Sequence, residues 1–436
     1  MSGIGEGGLG RGFQERADPI PPAGIQPPQM TRAEARSSLM ATILILAFFM
    51  PQELSIFFLD QRWTPSRLIL AVLAPYLLLR FLLVLLEAPR GIAVSDVLLI
   101  VPGVWMIIAS SQTGNARWLS YGGSYAMELC VPYAAARSLL RTEAQLLNAI
   151  RLFATAVGIT GYLAILDPLA GIYITKLAIG SITGVPSFPF IDYRMGIMRA
   201  FSVYEHPILL GVASVTGIMI CIYMRMPGRW FILAGCMIGL FLSLSSGPVA
   251  GMACGLGIVA YDRVTKGIGR RWYMLAVLIT VPLAMLFLFH PSPWALLFRL
   301  VLFDPQTAWW RVYTFELVWP WALASPWVGY GEPRFAALMA GSSTIDSQWL
   351  GLIITFGFPA AAGALAIMFG CCSVSTGPYS PARLSPPAVL MARCLGIMMF
   401  LFFVIGFTVA YWGSMYLASS FLAGMRASVG AVSRQR

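Results

Sequence analysis

The sequence predicts an all-α polytopic membrane protein with about 12 transmembrane helices and two long loops on its exported face. Composition is the first reason. Of 436 residues, 58% are hydrophobic and only 11% charged, with mean hydropathy +0.77, whereas a soluble domain is about half apolar and about a quarter charged. The second reason is the recurrence of apolar stretches of roughly 20 residues, each long enough to cross about 30 Å of hydrocarbon. Helices are the form such stretches take, because lipid leaves every backbone N–H and C=O to be satisfied within the segment. The third is an unequal distribution of arginine and lysine among the connections.

Residues 1–38 are rich in Gly, Pro and Arg and lack the apolar core, roughly 7–15 residues long, of a signal peptide. They are expected to form a disordered cytoplasmic tail. Spans are expected near 39–58, 67–86, 94–111, 120–136, 147–166, 206–224, 230–246, 247–261, 272–289, 347–370, 389–411 and 412–427, followed by a short cytoplasmic tail at 428–436. Ser245, Ser246 and Gly247 join the seventh and eighth tightly, and Trp412 and Gly413 turn the last pair. Gly247, Gly251 and Gly255 recur every four residues, a spacing that lets a helix approach its neighbour closely. Arg80 and Glu128 fall inside the second and fourth spans. A charge at a helix centre costs about 2.5–3.5 kcal/mol on insertion scales, so these two are expected to pair.

Basic residues concentrate on cytoplasmic loops, and most of them do so here if the N-terminus lies inside. The net charge of +11 then reflects topology, and no nucleic-acid partner is expected. The opposite face holds Arg62, Arg67, Arg117, Lys176, Arg194, Arg199, Arg299, Arg311 and Arg334. Six of these nine lie in the loops 167–205 and 290–346, the longest connections between spans; loops of such length in a compact protein are usually functional. Cysteines placed at Ser187 and Ser342 are expected to label from the exported side. The stretch RMGIMRAFSVYEHPILLG (194–211) closes the first loop, and the second carries Trp294, Trp309, Trp310, Trp319 and Trp321. Tryptophan favours the membrane interface, so Arg299 and Arg311 are expected at headgroup height, where a lipid-linked phosphate would sit. Arginine suits that ligand: its planar fork binds phosphate oxygens in pairs and stays charged.

Neither His206 nor His290 has an acid or histidine three or four residues away, so no metal site is expected. The cysteines (Cys130, Cys221, Cys236, Cys254, Cys371, Cys372 and Cys394) lie in or beside apolar spans and suggest no exported disulfide framework.

The segment Pro326-Trp327-Val328-Gly329-Tyr330-Gly331 resembles the "Pro-x-x-Gly-x-Gly" segment of the O-antigen ligase and polysaccharide polymerase family. A second family pattern is His, then Asn, Ser or Gln, nine residues, Gly, two residues, and Gly, Thr or Tyr. Here Asp346 takes the histidine place, Ser347 follows, the nine residues Gln348 to Phe356 lead to Gly357, and Ala360 closes the pattern. Arg199, His206 and Pro207 resemble the family's arginine and "His-Pro" at the start of a span. The resemblance covers roughly residues 190–370.

The resemblance implies a GT-C-like transmembrane catalytic domain over 39–427 in the bacterial inner membrane, with its active site on the periplasmic side. It implies a metal-independent, cofactor-free inverting glycosyltransferase that takes a glycan from undecaprenyl pyrophosphate to an acceptor hydroxyl. Membrane lipid, a flippase and a chain-length regulator are the implied associates. Arg194, Arg199, Arg299 and Arg311 would stabilise the charge gained by the departing pyrophosphate. Glu205, His206 and Asp346 are candidates for the general base, and Asp346 also suits a helix N-cap. The change at the histidine position favours polymerase over a ligase acting on lipid A core. A reading from another class is a 12-span transporter or flippase of lipid-linked oligosaccharide, although no internal repeat relates the two halves.

Overall fold

The computed structural model describes residues 31–58, 61–87, 92–114, 117–185, 190–302, 305–331, 345–373 and 385–432. The chain is mostly helical, with two small hairpins among the described residues. By length and composition five helical segments can cross a membrane: Pro65–Glu87, Val94–Ser111, Glu143–Ala170, Arg271–Phe289 and Pro386–Ile405. Shorter apolar helices include Pro207–Tyr223, Arg229–Ser243 and Phe358–Gly370. The protein is an all-α membrane protein on these grounds.

The first helix, α1 (Arg32–Phe48), departs from the expected 39–58 at both ends. Thr31 and Glu34 form a reciprocal cap, the Glu34 amide donating to Thr31 Oγ1 at 3.2 Å and the Thr31 amide to Glu34 Oε2 at 2.8 Å, which starts the helix early. Residues 32–38 are therefore helical, against the expected tail; residues 1–30 lie outside the described residues. Pro51 lacks an amide to continue the ladder and ends the helix early. The chain released there forms a hairpin, β1 (Ile56–Phe58) with β2 (Gln61–Trp63), paired Ile56 to Trp63.

The following helices are α2 (Pro65–Glu87), α3 (Val94–Leu98), α4 (Ile100–Ser111), α5 (Trp118–Leu139), α6 (Glu143–Leu163), α7 (Leu166–Ala170) and α8 (Ile174–Thr183). A second hairpin, β3 (Tyr193–Arg194) with β4 (Ile197–Met198), leads into α9 (Pro207–Tyr223), α10 (Arg229–Ser243), α11 (Ser246–Val264) and α12 (Arg271–Phe289). Then come α13 (Pro293–Val301) and α14 (Pro305–Ala324) in the second loop, α15 (Gln348–Phe356), α16 (Phe358–Gly370), α17 (Pro386–Ile405) and α18 (Gly413–Val432).

The predicted span 347–370 is two helices. Gly357 breaks it with φ +83°, and a Cβ there would lie 1.8 Å from the Trp327 carbonyl oxygen. The break is clasped by the Pro326–Gly331 segment. Tyr330 and Gly331 amides donate to the Ile354 and Thr355 carbonyls at 2.7 and 3.1 Å, and the Phe358 amide donates to Pro326 O at 2.8 Å. Trp105 Nε1 donates to Phe356 O at 3.0 Å. Carbonyls freed by the break thus find donors, as the membrane requires.

The helix α18 is the axis of the bundle, buried along nearly its whole length against α5, α17, α1 and α6. The glycines of α11 face α17 as expected, Gly251 against Ile405 and Gly255 against Leu401. Arg80 does not pair with Glu128. It donates to Tyr76 Oη at 2.8 Å and Ser37 Oγ at 3.0 Å, while Glu128 accepts from Arg67. Thirteen residues of helix, about 20 Å, separate Arg80 from Arg67, and Arg67 stands at the end of α2 that Glu128 meets.

Candidate functional site

The loop before α9 is held by Asp167 of α7. Its buried carboxylate accepts from the amides of Phe201 and Ser202 at 2.9 and 3.0 Å and of Ile174 at 3.2 Å. Ser202 Oγ donates to Thr160 O at 2.8 Å. Fixed in this way, the segment carries Arg199, Glu205 and His206, and the Arg199 charge acts on His206.

Arg199 is buried beside the C-terminus of α10. Its Nε donates to Ser243 O at 3.0 Å and its Nη1 to Asp192 Oδ2 at 2.6 Å. Arg194 Nη1 donates to Leu244 O at 2.9 Å. Both guanidinium groups therefore complement the negative end of α10, where backbone carbonyls lack helical partners. The Nη2 of Arg199 is buried with no partner. Burial pushes the Arg199 pKa down, and Arg194 adds to the fall against the opposing pull of Asp192.

Arg311 brings the second loop to the same place. It is buried in α14, ion-paired with Asp346, and its Nε is buried without a partner. Burial and the nearby Arg194 charge lower its pKa to about 10, so it stays protonated at neutral pH. Arg194 thus acts on an arginine of each loop. Asp346 is not the expected N-cap. Ser347 caps α15 instead, accepting from the Leu350 amide at 3.4 Å, which frees Asp346 for Arg311. Arg299 is exposed on α13 and is not among the charges acting most on His206, Arg199 or Arg311. Arg334, Ser187 and Ser342 lie outside the described residues.

The three base candidates separate. His206 caps α9, its Nδ1 accepting from the Ile208 amide at 3.2 Å. Burial, then the cations Arg199, Arg311 and Lys176, lower its pKa to about 4, with Asp192 opposing. At neutral pH it is an uncharged ring whose Nδ1 lone pair is already in use. Asp346 is neutralised by Arg311. Glu205 remains. Its Oε1 accepts from the Ser414 amide at 3.0 Å and from Gln52 Nε2, and its Oε2 accepts from Ser414 Oγ at 3.0 Å. Burial raises its pKa above the ordinary carboxylate value, opposed by the Ser414 hydrogen bonds and by Lys176. A carboxylate poised upward in this way is suited to accepting a proton.

Lys176, Gln52 and Glu53 adjoin the site. Lys176 Nζ, expected only as an exported cation, pairs with Glu53 Oε1 at 2.7 Å, both buried, and stands 4.9 Å from the Phe201 ring centroid. Gln52 and Glu53 were hidden inside the expected first span; the signal was Pro51 followed by two polar residues. Among the described residues, no group of three or more His, Cys, Asp or Glu side chains is placed to hold a metal ion. No protein-family model matches the chain, and comparison with characterised proteins finds no relative.

Proposed function

We propose that the protein polymerises lipid-linked polysaccharide repeat units at the periplasmic face of the bacterial inner membrane. It transfers a glycan from undecaprenyl pyrophosphate to an acceptor sugar hydroxyl. In this reading all twelve apolar segments cross the membrane and the N-terminus lies in the cytoplasm.

The observation that carries the reading is the pair of buried arginines, one from each long loop, that keep an N–H without a partner: Arg199 Nη2 and Arg311 Nε. An unpartnered buried donor costs about 1–3 kcal/mol, a cost that a phosphate oxygen would remove. The acceptor hydroxyl gives its proton to Glu205 as its oxygen attacks the anomeric carbon. The bond from that carbon to pyrophosphate breaks, and undecaprenyl pyrophosphate leaves with the electron pair. Arginines fixed before the reaction stabilise that growing charge without reorganising.

The test is bond formation by purified protein in liposomes containing an undecaprenyl-pyrophosphate-linked repeat unit. Longer lipid-linked chains are expected, with the same yield in EDTA. Passage of the substrate across the bilayer with no new glycosidic bond would overturn the reading, as would a loss in EDTA that Mg²⁺ restores. A lipid A core acceptor in a parallel reaction distinguishes ligase from polymerase.

A further inference from the structure

Past the end of α16 remote from Gly357, two neighbouring thiols face a buried cation. The sulfurs of Cys371 and Cys372 are 3.9 Å apart. Cys371 is buried and Cys372 half-buried. Arg426, buried in α18, hydrogen-bonds the Cys372 sulfur. Gly396 of α17 packs beside this contact: a Cβ there would stand 3.8 Å, an ordinary van der Waals distance, from both Arg426 Nε and Cys372 Sγ. The same turn is tied to the start of α3, where the Val94 amide donates to Ser373 Oγ at 2.9 Å.

We propose that Cys371 and Cys372 form a dithiol modification site that responds to peroxide. A guanidinium beside a sulfur favours the thiolate, which is the nucleophilic form. Redox-responsive cysteines are accessible, thiolate-rich and set next to a resolving thiol, and the two sulfurs divide these roles. The hydrogen bond from Cys371 and the Arg426 guanidinium bring the Cys372 pKa down to about 7 against burial, whereas burial drives Cys371 well up. Cys372 thiolate attacks a peroxide oxygen; the S–O bond forms, the O–O bond breaks and hydroxide leaves. The Cys371 sulfur then attacks the Cys372 sulfenic acid, the S–O bond breaks, and water departs with the Cys371 proton. Two thiols lose two electrons, and one hydrogen peroxide becomes two waters. On the orientation given by the basic residues this turn faces the cytosol, where thiol reductants return the pair to its starting state.

The experiment uses the full chain in membranes, exposed to graded hydrogen peroxide and then to dimedone, with the peptide bearing both cysteines analysed by mass spectrometry. Wild type is expected to lose two hydrogens from that peptide, recover them in dithiothreitol, and carry little dimedone. Cys371→Ser is expected to accumulate the adduct on Cys372, and Cys372→Ser to carry none. Should either variant fail to fold, alkylation of wild-type Cys372 across pH decides, with a midpoint near pH 7 expected. A peptide that stays reduced in peroxide, or an alkylation midpoint near pH 9, overturns the proposal.

Discussion

Among the described residues, two of the clusters of buried charge are built on opposite principles. At the start of α3, Asp96 and Arg137 form a closed pair. Asp96 Oδ1 accepts from Arg137 Nε at 2.8 Å and Tyr133 Oη at 2.7 Å, and Oδ2 accepts from Arg137 Nη2 at 2.6 Å and the Ala93 amide at 2.7 Å. Both carboxylate oxygens have two donors. Around Arg199 and Arg311 the pairing is incomplete: each arginine has one anionic partner and keeps a buried N–H with none. A saturated network rigidifies the fold, whereas an unsaturated one carries a cost that a ligand can relieve. The number of donors left over separates the two kinds of arginine better than their burial does.

The largest expected effect is at Glu205, the proposed base. Glu205→Gln keeps the shape and the Ser414 contact but cannot take a proton, so turnover is expected to fall about 10²–10⁴-fold, measured as chain elongation in proteoliposomes. Normal turnover would remove Glu205 from the mechanism.

The closed pair should fail in stability instead. Asp96→Ala leaves Arg137 buried without its carboxylate partner, at about 3–5 kcal/mol. A lower melting temperature in detergent and reduced accumulation in the membrane are expected, with turnover per folded molecule unchanged. A loss of turnover at normal stability would contradict the assignment.

Lysine in the open cluster has a smaller, more specific effect. Arg199→Lys and Arg311→Lys keep the charge and lose the fork, so at least about tenfold in turnover, or about 1.4 kcal/mol, should go. Arg311→Lys is the cleaner of the two, because Arg199 also donates to Ser243; a melting curve for each separates that contact from chemistry. Wild-type turnover in both would reduce them to anchors.

The gentlest change is in pH dependence. As the proposed base Glu205 would act ionised, so activity should rise with pH through its raised pKa. Lys176 favours the carboxylate; Lys176→Met should therefore move the acid limb of the pH–rate profile to higher pH, and Lys176→Arg should restore it. Stability follows the opposite sign. The fold favours neutral Glu205, so its contribution is full below the ordinary carboxyl value of 4.5 and is lost as pH rises through the raised folded value. An unmoved acid limb in Lys176→Met would exclude Lys176 from tuning the base.

Apolar length and period made the helices legible in the sequence, since each expected span overlaps at least one helix, although 347–370 is two and 39–58 runs on into a hairpin. Boundaries were lost where one residue overrides a pattern: Pro51 inside an apolar run and Gly357 inside another. The arginines of the open cluster were legible as charges on the less favoured face. Their division was not, because Arg299 and Arg311 are twelve residues apart in similar aromatic segments and only packing exposes one and buries the other. The Arg67–Glu128 pair was missed for a related reason. Composition shows which charges need partners, and the relative height of helix ends decides which partner is reached.

The clasp at Gly357 bears on how such a chain can diversify. Arg311 is tied to Asp346 on one side, and the segment after α14 is fastened to the α15 carbonyls through Tyr330 and Gly331 on the other. Both attachments flank residues 332–344, so that stretch can lengthen or shorten between two fixed posts. Loop-closure entropy grows only slowly with length, by about 0.6 kcal/mol per doubling. Insertions there would cost little while Arg311 stayed in register. The broken helix thus fixes both ends of that stretch whatever its length.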